Sequence, residues 1–537
     1  MFRNKSVDVH QFAMVPRADI PRSSFMVEKA HKTTFDAGYL IPFYLDEVLP
    51  GDSMQCKATL FARMATPIYP LMDNAYLDSF FFFVPNRLLW VNWRKFMGEQ
   101  ANPADSISYV VPQQVSPANG YAIGSLQDYM GLPTVGQVTG GNVVSHCAFF
   151  TRAYNLIWNE WFRDENLQNS VTVDTGDGPD NIANYVLLRR GKRADYFTSC
   201  LPWPQKGNTS VTLPLGTQAP IKGLNINTGS VAANNTGFGV SAAYDFAATP
   251  AWSTGVLIQA QSNAAVGSGN RPQIYADLSQ ATAATINQLR QSFQIQRLLE
   301  RDARSGTRYT ELLRAHFGVI SPDARLQRPE YLGGGSSPLT VNPITQNSAS
   351  NITGGSTPLG TLSAMGTILG THGFTGSFTE HGVIVGLCMV RADLTYQQGL
   401  RKMWKRATRY DFYMPVFANL GEQAVLNSEI YCDGTANDAN VFGYQERWAE
   451  YRYDPSMITG LFRSTATGTL DGWHLAQKFT ALPTLGSTFI QETPPFSRVL
   501  AVGAAANGAQ FIFDSFISCR KARPMPLYSV PGLIDHF

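Results

Sequence analysis

Between Cys56 and Met64 every second side chain is apolar (Cys56, Ala58, Leu60, Ala62, Met64), with Lys57, Thr59, Phe61 and Arg63 in between. A period of two places each set on its own face of an extended chain, so this segment is a strand with one buried face. Ala75 to Val84 is apolar and aromatic on both faces and ends at Pro85. That is the pattern of a central strand covered on both sides. Gly382 to Leu394, Arg409 to Val416, Gln423 to Tyr431 and Gln510 to Arg520 also read as strands, separated by turn-rich stretches such as Cys432-Asp433-Gly434 and Asn507-Gly508. Well-separated antiparallel strands of this kind predict a sandwich or jelly roll with long insertions.

Helices interrupt the strands. Cys147, Phe150, Tyr154, Ile157 or Trp158, and Trp161 fall at helical spacing. A longer helix is predicted to open at Asp277, with Gln280 three residues on as its reciprocal cap, to carry Ile286, Leu289, Phe293 and Leu299 inward, and to end at Arg304-Ser305-Gly306. A shorter one follows from Arg308 to Phe317.

Residues 1–32 hold six Lys or Arg, three Asp or Glu, and prolines at Pro16 and Pro21, which reads as an extended arm. Residues 205–275 carry four charged residues, and residues 333–379 carry none. Disorder normally comes with high net charge. The first segment also has spaced apolar residues (Phe238, Tyr244, Phe246, Trp252), so it is expected to be a folded β-rich excursion that contacts copies of itself. The organisation expected is therefore an arm at 1–32, a core built from 33–204 and 276–537, and an insertion at 205–275.

The whole chain is poorly charged, at 15% against about 25% for an average domain. A chain that buries much of its exterior against identical neighbours does not need surface charge for solubility. Its 42 basic and 40 acidic residues leave a net charge of +2, which argues against a strongly basic nucleic-acid reader. Arginine outnumbers lysine 30 to 12, a bias that suits interfaces and phosphate contacts. The start, MFRNKSVDVHQF, has no apolar stretch after its cations, so no secretory signal is expected, and no run reaches the ~18 apolar residues of a membrane helix. The six scattered cysteines, with no CxxC pair, are expected to be reduced and buried.

Catalytic constellations are missing. HExxH, Walker A and GxSxG patterns are absent, and Gly237 to Ala242 matches GxGxxA only formally, with no long helix after it. His372 and His381 flank a Gly-rich turn and are read as structural. The carboxylates Asp164-Glu165, Glu300 with Asp302, and Glu446 with Glu450 each have Arg within reach, as ion-paired surfaces do. No catalytic, cofactor or metal residue is assigned. One stretch stands out: Arg401, Lys402, Lys405, Arg406 and Arg409 surround Trp404 and precede Tyr410. Cations with interleaved aromatics can follow phosphates and stack the bases of single-stranded nucleic acid. The competing reading is a charged connector with Trp404 anchored in the core. Arg189-Arg190-Gly191-Lys192-Arg193 is a second, weaker basic run.

Four long strings carry a family likeness: FDAGYLIPFYLDEVLPGDS (Phe35 to Ser53), DYFTSCLPWPQKG (Asp195 to Gly207), TINQLRQSFQIQRLLERDARSGTRYTE (Thr285 to Glu311) and SPDARLQRPEYLGG (Ser321 to Gly334). They resemble the major capsid protein of the Microviridae, small single-stranded-DNA bacteriophages, of the gokushovirus type. The resemblance covers nearly the whole chain except 205–275, which looks like that family's variable insertion. It implies an eight-stranded antiparallel jelly roll with long loop insertions and several helices. Copies of it would form a T=1 icosahedral shell through pentamer and trimer contacts, around circular single-stranded DNA. It further implies a threefold protrusion from 205–275, a candidate for host-receptor contact through Phe238, Tyr244, Phe246 and Trp252, and no enzyme activity. Minor virion proteins (pilot and DNA-associated) and an internal scaffolding protein are the implied partners, with assembly in the bacterial cytoplasm and no membrane insertion.

DNA carries roughly one negative charge per nucleotide. A subunit at +2 supplies too little to neutralise a genome, so a small basic protein, polyamines or metal cations are expected to complete the balance. The rival readings are a β-rich carbohydrate-binding protein or depolymerase, which would need paired carboxylates in an aromatic cleft, and a fibre, which would need internal repeats.

Overall fold

The computed structural model describes residues 21–207, 211, 221–222, 224–227, 257–260, 275–276, 286–347, 350–352, 355–357, 361–501 and 508–528. Two compact units are resolved along the chain: 1–204 with 306–537, and 205–305.

The first unit is built on strands β1 (Ser23–Phe35), β2 (Ile41–Val48), β3 (Ser53–Met64), β4 (Ala75–Pro85), β5 (Glu330–Pro338), β6 (Thr340–Thr345), β7 (Leu362–Ser377), β8 (Gly382–Ala392), β9 (Glu422–Leu426), β10 (Val441–Glu446) and β11 (Phe511–Arg523). One sheet has the order β1-β11-β3-β7-β6 and the other β5-β4-β8-β2, all antiparallel. This is the mainly β, antiparallel architecture expected of a jelly roll. Among the described residues the two large sheets hold nine strands rather than eight. One of them is β1, at the edge of the five-stranded sheet. Part of it was expected to be a free arm, yet it pairs with β11 along its length, from Ser23 opposite Arg523 to Phe35 opposite Phe511.

The alternation read in β3 is the burial pattern observed: Cys56, Ala58, Leu60, Ala62 and Met64 are all buried, and Phe61 is exposed. They pack against Phe43, Phe81, Phe83 and Ile384 of the opposite sheet to form the first core. The four-stranded sheet is covered on its other face too. There Phe82, Val383, Val385, Leu387 and Met389 meet helix α1 (Phe149–Ile157) through Phe149, Ala153, Tyr154 and Ile157. Buried on both faces, β8 has every residue inside, which is why its sequence shows no alternation. A third apolar cluster, with Tyr196, Phe197, Cys200, Tyr396, Val425 and Phe442, lies under the β9–β10 hairpin.

Several expectations are corrected. Cys56 and Cys519 are not reduced: they stand opposite each other on β3 and β11, Cα atoms 4.1 Å apart, and are joined in a disulfide. A separation of 463 residues hides that pairing from any spacing argument. Of the other four cysteines, Cys200 and Cys388 are buried but Cys147 and Cys432 are exposed. Arg409 to Val416 is not a strand. Thr408 and Asp411 cap each other in a short turn, Arg409–Asp411, and Pro415 opens another, Pro415–Phe417. Gln423 to Tyr431 is a strand only as far as Leu426, where Glu429 accepts the Leu426 N–H and starts the helical turn Asn427–Ile430. The helix over 286–305, α2 (Ile286–Ser305), is present, but Ile286, Leu289 and Phe293 do not face inward, being 70%, 38% and 62% exposed. Its predicted cap, Asp277 with Gln280, lies outside the described residues, as do Phe238, Tyr244, Phe246, Trp252 and the segment Gly237 to Ala242. The shorter helix, α3 (Tyr309–Phe317), is where it was expected. None of the described helices is long and apolar enough to cross a membrane.

Candidate nucleic-acid interface

The basic stretch forms a short helical turn, Lys402–Lys405, set against the β9–β10 hairpin. Gly399 lets it approach: a Cβ there would lie 1.9 Å from the Glu429 carbonyl oxygen. The turn is pinned by Leu400 N–H donating to Ser428 O (2.8 Å) and by Lys402 Nζ donating to Ala424 O (2.9 Å).

Most of the cations point into the protein. Lys402 Nζ is 3.6 Å from a carboxylate oxygen of buried Glu429, which also accepts the Tyr196 hydroxyl at 2.8 Å. Burial, reinforced by that carboxylate, pushes the Tyr196 phenol well up, so it remains a donor. Lys405 donates to Ser428 Oγ, and Arg401 pairs with Asp454. Arg406 is 3.7 Å from Glu450, donates to the Tyr451 hydroxyl and lies over the Tyr451 ring at 4.3 Å. The exposed part of the stretch is aromatic: Trp404 is 70% and Tyr410 68% exposed, beside exposed Arg409. Trp404 is therefore not the core anchor of a charged connector. Asp411 accepts both Thr408 and Ala407 N–H groups, which hold its carboxyl below the usual range and fix the bend before Phe412.

Sequence reading missed the other half of this site. Tyr196, Phe197, Tyr396, Glu429 and Arg447 converge here from distant segments. Two signals were available, the DYFTSC run and the Glu446/Glu450 pair, but Glu450 meets Arg406 rather than the nearby arginines. Glu446 does pair with Arg452.

The second basic run is interior apart from half-exposed Arg193. Arg189 donates to Ala37 O and Glu492 O and covers the Tyr39 ring at 3.8 Å, while Lys192 lies over Phe489 at 4.6 Å. Arg190 and Arg193 reach Asp78 at 3.4 and 3.5 Å. His372 bridges Ser79 Oγ (2.6 Å) and Ser337 Oγ (2.9 Å), whereas the His381 ring packs on Trp93, so the two histidines serve separate places. Among the described residues no group of three or more His, Cys, Asp or Glu is arranged to hold a metal ion.

Residues 13–533 match the family described as Capsid protein (F protein). The chain belongs to that capsid protein family. It is 46% identical to capsid protein VP1 of Bdellovibrio phage phiMH2K and 44% identical to capsid protein VP1 of Chlamydia phage 1, each over 98% of both chains. Capsid protein VP1 of Spiroplasma virus 4 is 37% identical, again over 98% of both chains. The chain is thus a phage capsid protein of the gokushovirus-type Microviridae, a structural component of the virion that assembles with itself into a shell, and not an enzyme.

Proposed function

We propose that copies of this chain close into a T=1 icosahedral shell around a circular single-stranded DNA genome. The Trp404–Tyr410 face would meet the DNA, and the 205–275 insertion would project as a threefold protrusion used for host attachment. The observation that carries the DNA part is the exposed pair Trp404 and Tyr410 with Arg409 between them, backed by Arg401, Lys402, Lys405 and Arg406. Every base has a π-face, so stacking on such rings is tolerant of sequence, as a packaged genome requires. The internal pairing of Arg401, Lys402 and Arg406 with Asp454, Glu429 and Glu450 leaves Arg409 as the cation most available to phosphate. Closed symmetry repeats each contact, so modest affinity at each copy suffices. The charge remaining on the genome falls to a small basic virion protein, polyamines or metal cations. A pilot protein, an internal scaffolding protein and a bacterial surface receptor complete the partners.

The test is electron microscopy of particles assembled from the recombinant chain, with analysis of their nucleic acid. Closed shells of sixty copies holding circular single-stranded DNA support the reading. Monomers, rods, or a shell that neutralises its genome without another cation source overturn it.

A further inference from the structure

The Cys56–Cys519 bridge is buried near one end of the first core, its residues 4% and 1% exposed. Two residues further along β11, Lys521 also points inward, and its ammonium pairs with Asp46. Arg523 Nε lies 3.1 Å from Asp52 Oδ2, and the same guanidinium reaches Asp46 at 4.0 Å. These side chains form a polar cover over that end. Between the cover and the bridge stands buried Tyr44. Its hydroxyl donates to Asp46 Oδ2 at 2.6 Å and lies 3.6 Å from Cys56 Sγ and 3.8 Å from Cys519 Sγ. Asp52 is wholly buried, yet its Oδ1 has no partner, which points to a small polar molecule within the cover.

The bridge holds more than two residues. Edge strand β1 is hydrogen-bonded to β11 alone, and β11 to β3 on its other side. A covalent link from β11 to β3 therefore secures both β11 and β1. It also ties positions 463 residues apart, and the longer the loop, the more freedom a cross-link removes from the unfolded chain. Thiols made in a cytoplasm, however, are kept reduced by its glutathione and thioredoxin. A closed bridge thus belongs to a stage after the chain is made.

We propose that the Cys56/Cys519 pair is a one-way redox lock: the subunit assembles as the dithiol, and hydrogen peroxide closes the bridge once the particle has left the cell. This rests on assembly of the shell inside the host. The Cys56 thiolate attacks one peroxide oxygen, the O–O bond breaks, and hydroxide leaves and takes a proton to become water. Cys56 then carries a sulfenic acid. The Cys519 thiolate attacks the Cys56 sulfur, the S–S bond forms, and the second oxygen leaves as water. Two thiols and one peroxide give one disulfide and two waters. The Tyr44 hydroxyl, in reach of both sulfurs and bonded to Asp46, is the route by which the thiol protons leave toward the cover. Peroxide is only two oxygen atoms long and passes such a cover. A glutathione thiolate, which has to reach a sulfur to reverse the bond, does not.

The experiment traps thiols by acid quenching and alkylation, then maps the peptides bearing Cys56 and Cys519 by mass spectrometry. It compares cells making the full chain with particles released from them. Alkylation of the pair should be at least about fivefold greater in the cells, where thiols stay reduced. Particles isolated anaerobically with reductant should close the bridge on exposure to hydrogen peroxide, disassemble several degrees higher once closed, and resist reopening by glutathione. Tyr44→Phe should slow closure while leaving the disassembly temperature of the closed particle unchanged; an undiminished rate would overturn the proton route. A bridge already closed inside cells, one still open in released particles, or one that glutathione reopens as readily in particles as in the unfolded chain would overturn the lock. A chain that forms no shells would instead overturn the shell reading, and the same thiol mapping on its free subunits, inside cells and after lysis, still decides the lock.

Discussion

Arg391 Nε donates to Asp78 Oδ2 at 2.8 Å between the adjacent central strands β8 and β4, and both side chains are almost wholly buried. The guanidinium also lies 4.4 Å from the Tyr76 ring centroid. Removing one member of a buried ion pair strands the other charge, at a cost of about 3–5 kcal/mol. Asp78→Asn should therefore lower the chain's unfolding free energy by that order, read by chemical denaturation. Arg193→Gln should cost under about 1 kcal/mol, because the Arg193 side chain is half-exposed and solvent already screens its 3.5 Å contact with Asp78.

The Cys56–Cys519 bridge ties β3 to β11, strands from opposite ends of the chain. Denatured protein should label four thiols without reductant (Cys147, Cys200, Cys388, Cys432) and six with it. Loss of a native disulfide commonly costs about 2–5 kcal/mol in small domains. Cys519→Ser should fall toward the upper end of that range, since the bridge closes a separation of 463 residues and longer loops lose more unfolded-chain entropy when tied. Six reactive thiols in the absence of reductant would show the bridge to be absent.

Glu492 is buried, and desolvation raises its carboxyl to about 7, against the pull of Lys192, Arg190 and Arg391. The folded state thus holds a proton over the window from the ordinary 4.5 to about 7 that the unfolded state has released. Stability should fall as pH rises through that window, with a slope approaching about 1 kcal/mol per pH unit from this group. Glu492→Gln removes this titration. Relative to the parent chain it should gain stability at pH 8 compared with pH 5, and a difference independent of pH would contradict the assignment.

Among the described residues the three apolar clusters contain none between 205 and 305. Excising 205–275 with a short Gly/Ser bridge should then leave the near-ultraviolet dichroism of the aromatic core and its cooperative unfolding largely unchanged. Trimer contacts or host binding should change instead. A chain that cannot fold after the excision would place core residues inside the insertion.

Some strands with one face in water were legible, β3 most clearly, whereas β1, β6 and β7 were not. In β3 the period of two is written directly in residue choice; β11 alternates in burial only, with Ser515 and Lys521 inside and Ile512 and Phe516 outside, and in β8 the loss of alternation marks a strand covered twice. The basic stretch was legible as composition, yet the orientation of its cations was not. Glu429 and Glu450, which turn Lys402 and Arg406 inward, come from the other side of the hairpin. The exposed face of α2 misled for a related reason: Ile286, Leu289 and Phe293 have core spacing, but they are not buried within this chain.

The amino-acid string alone, then, gave the alternation of β3 and the span of α3, and the long family strings identify the capsid lineage, whereas Arg409 to Val416 reads as a strand and folds as two short turns. Tertiary structure alone decided that Cys56 meets Cys519, that Asp78 gathers three arginines, and that Tyr196 and Arg447 share one recess with Lys402. Those pairings join residues far apart along the chain. Which distant groups come to share a low-dielectric interior depends on how the sheets close, and no short-range pattern encodes that.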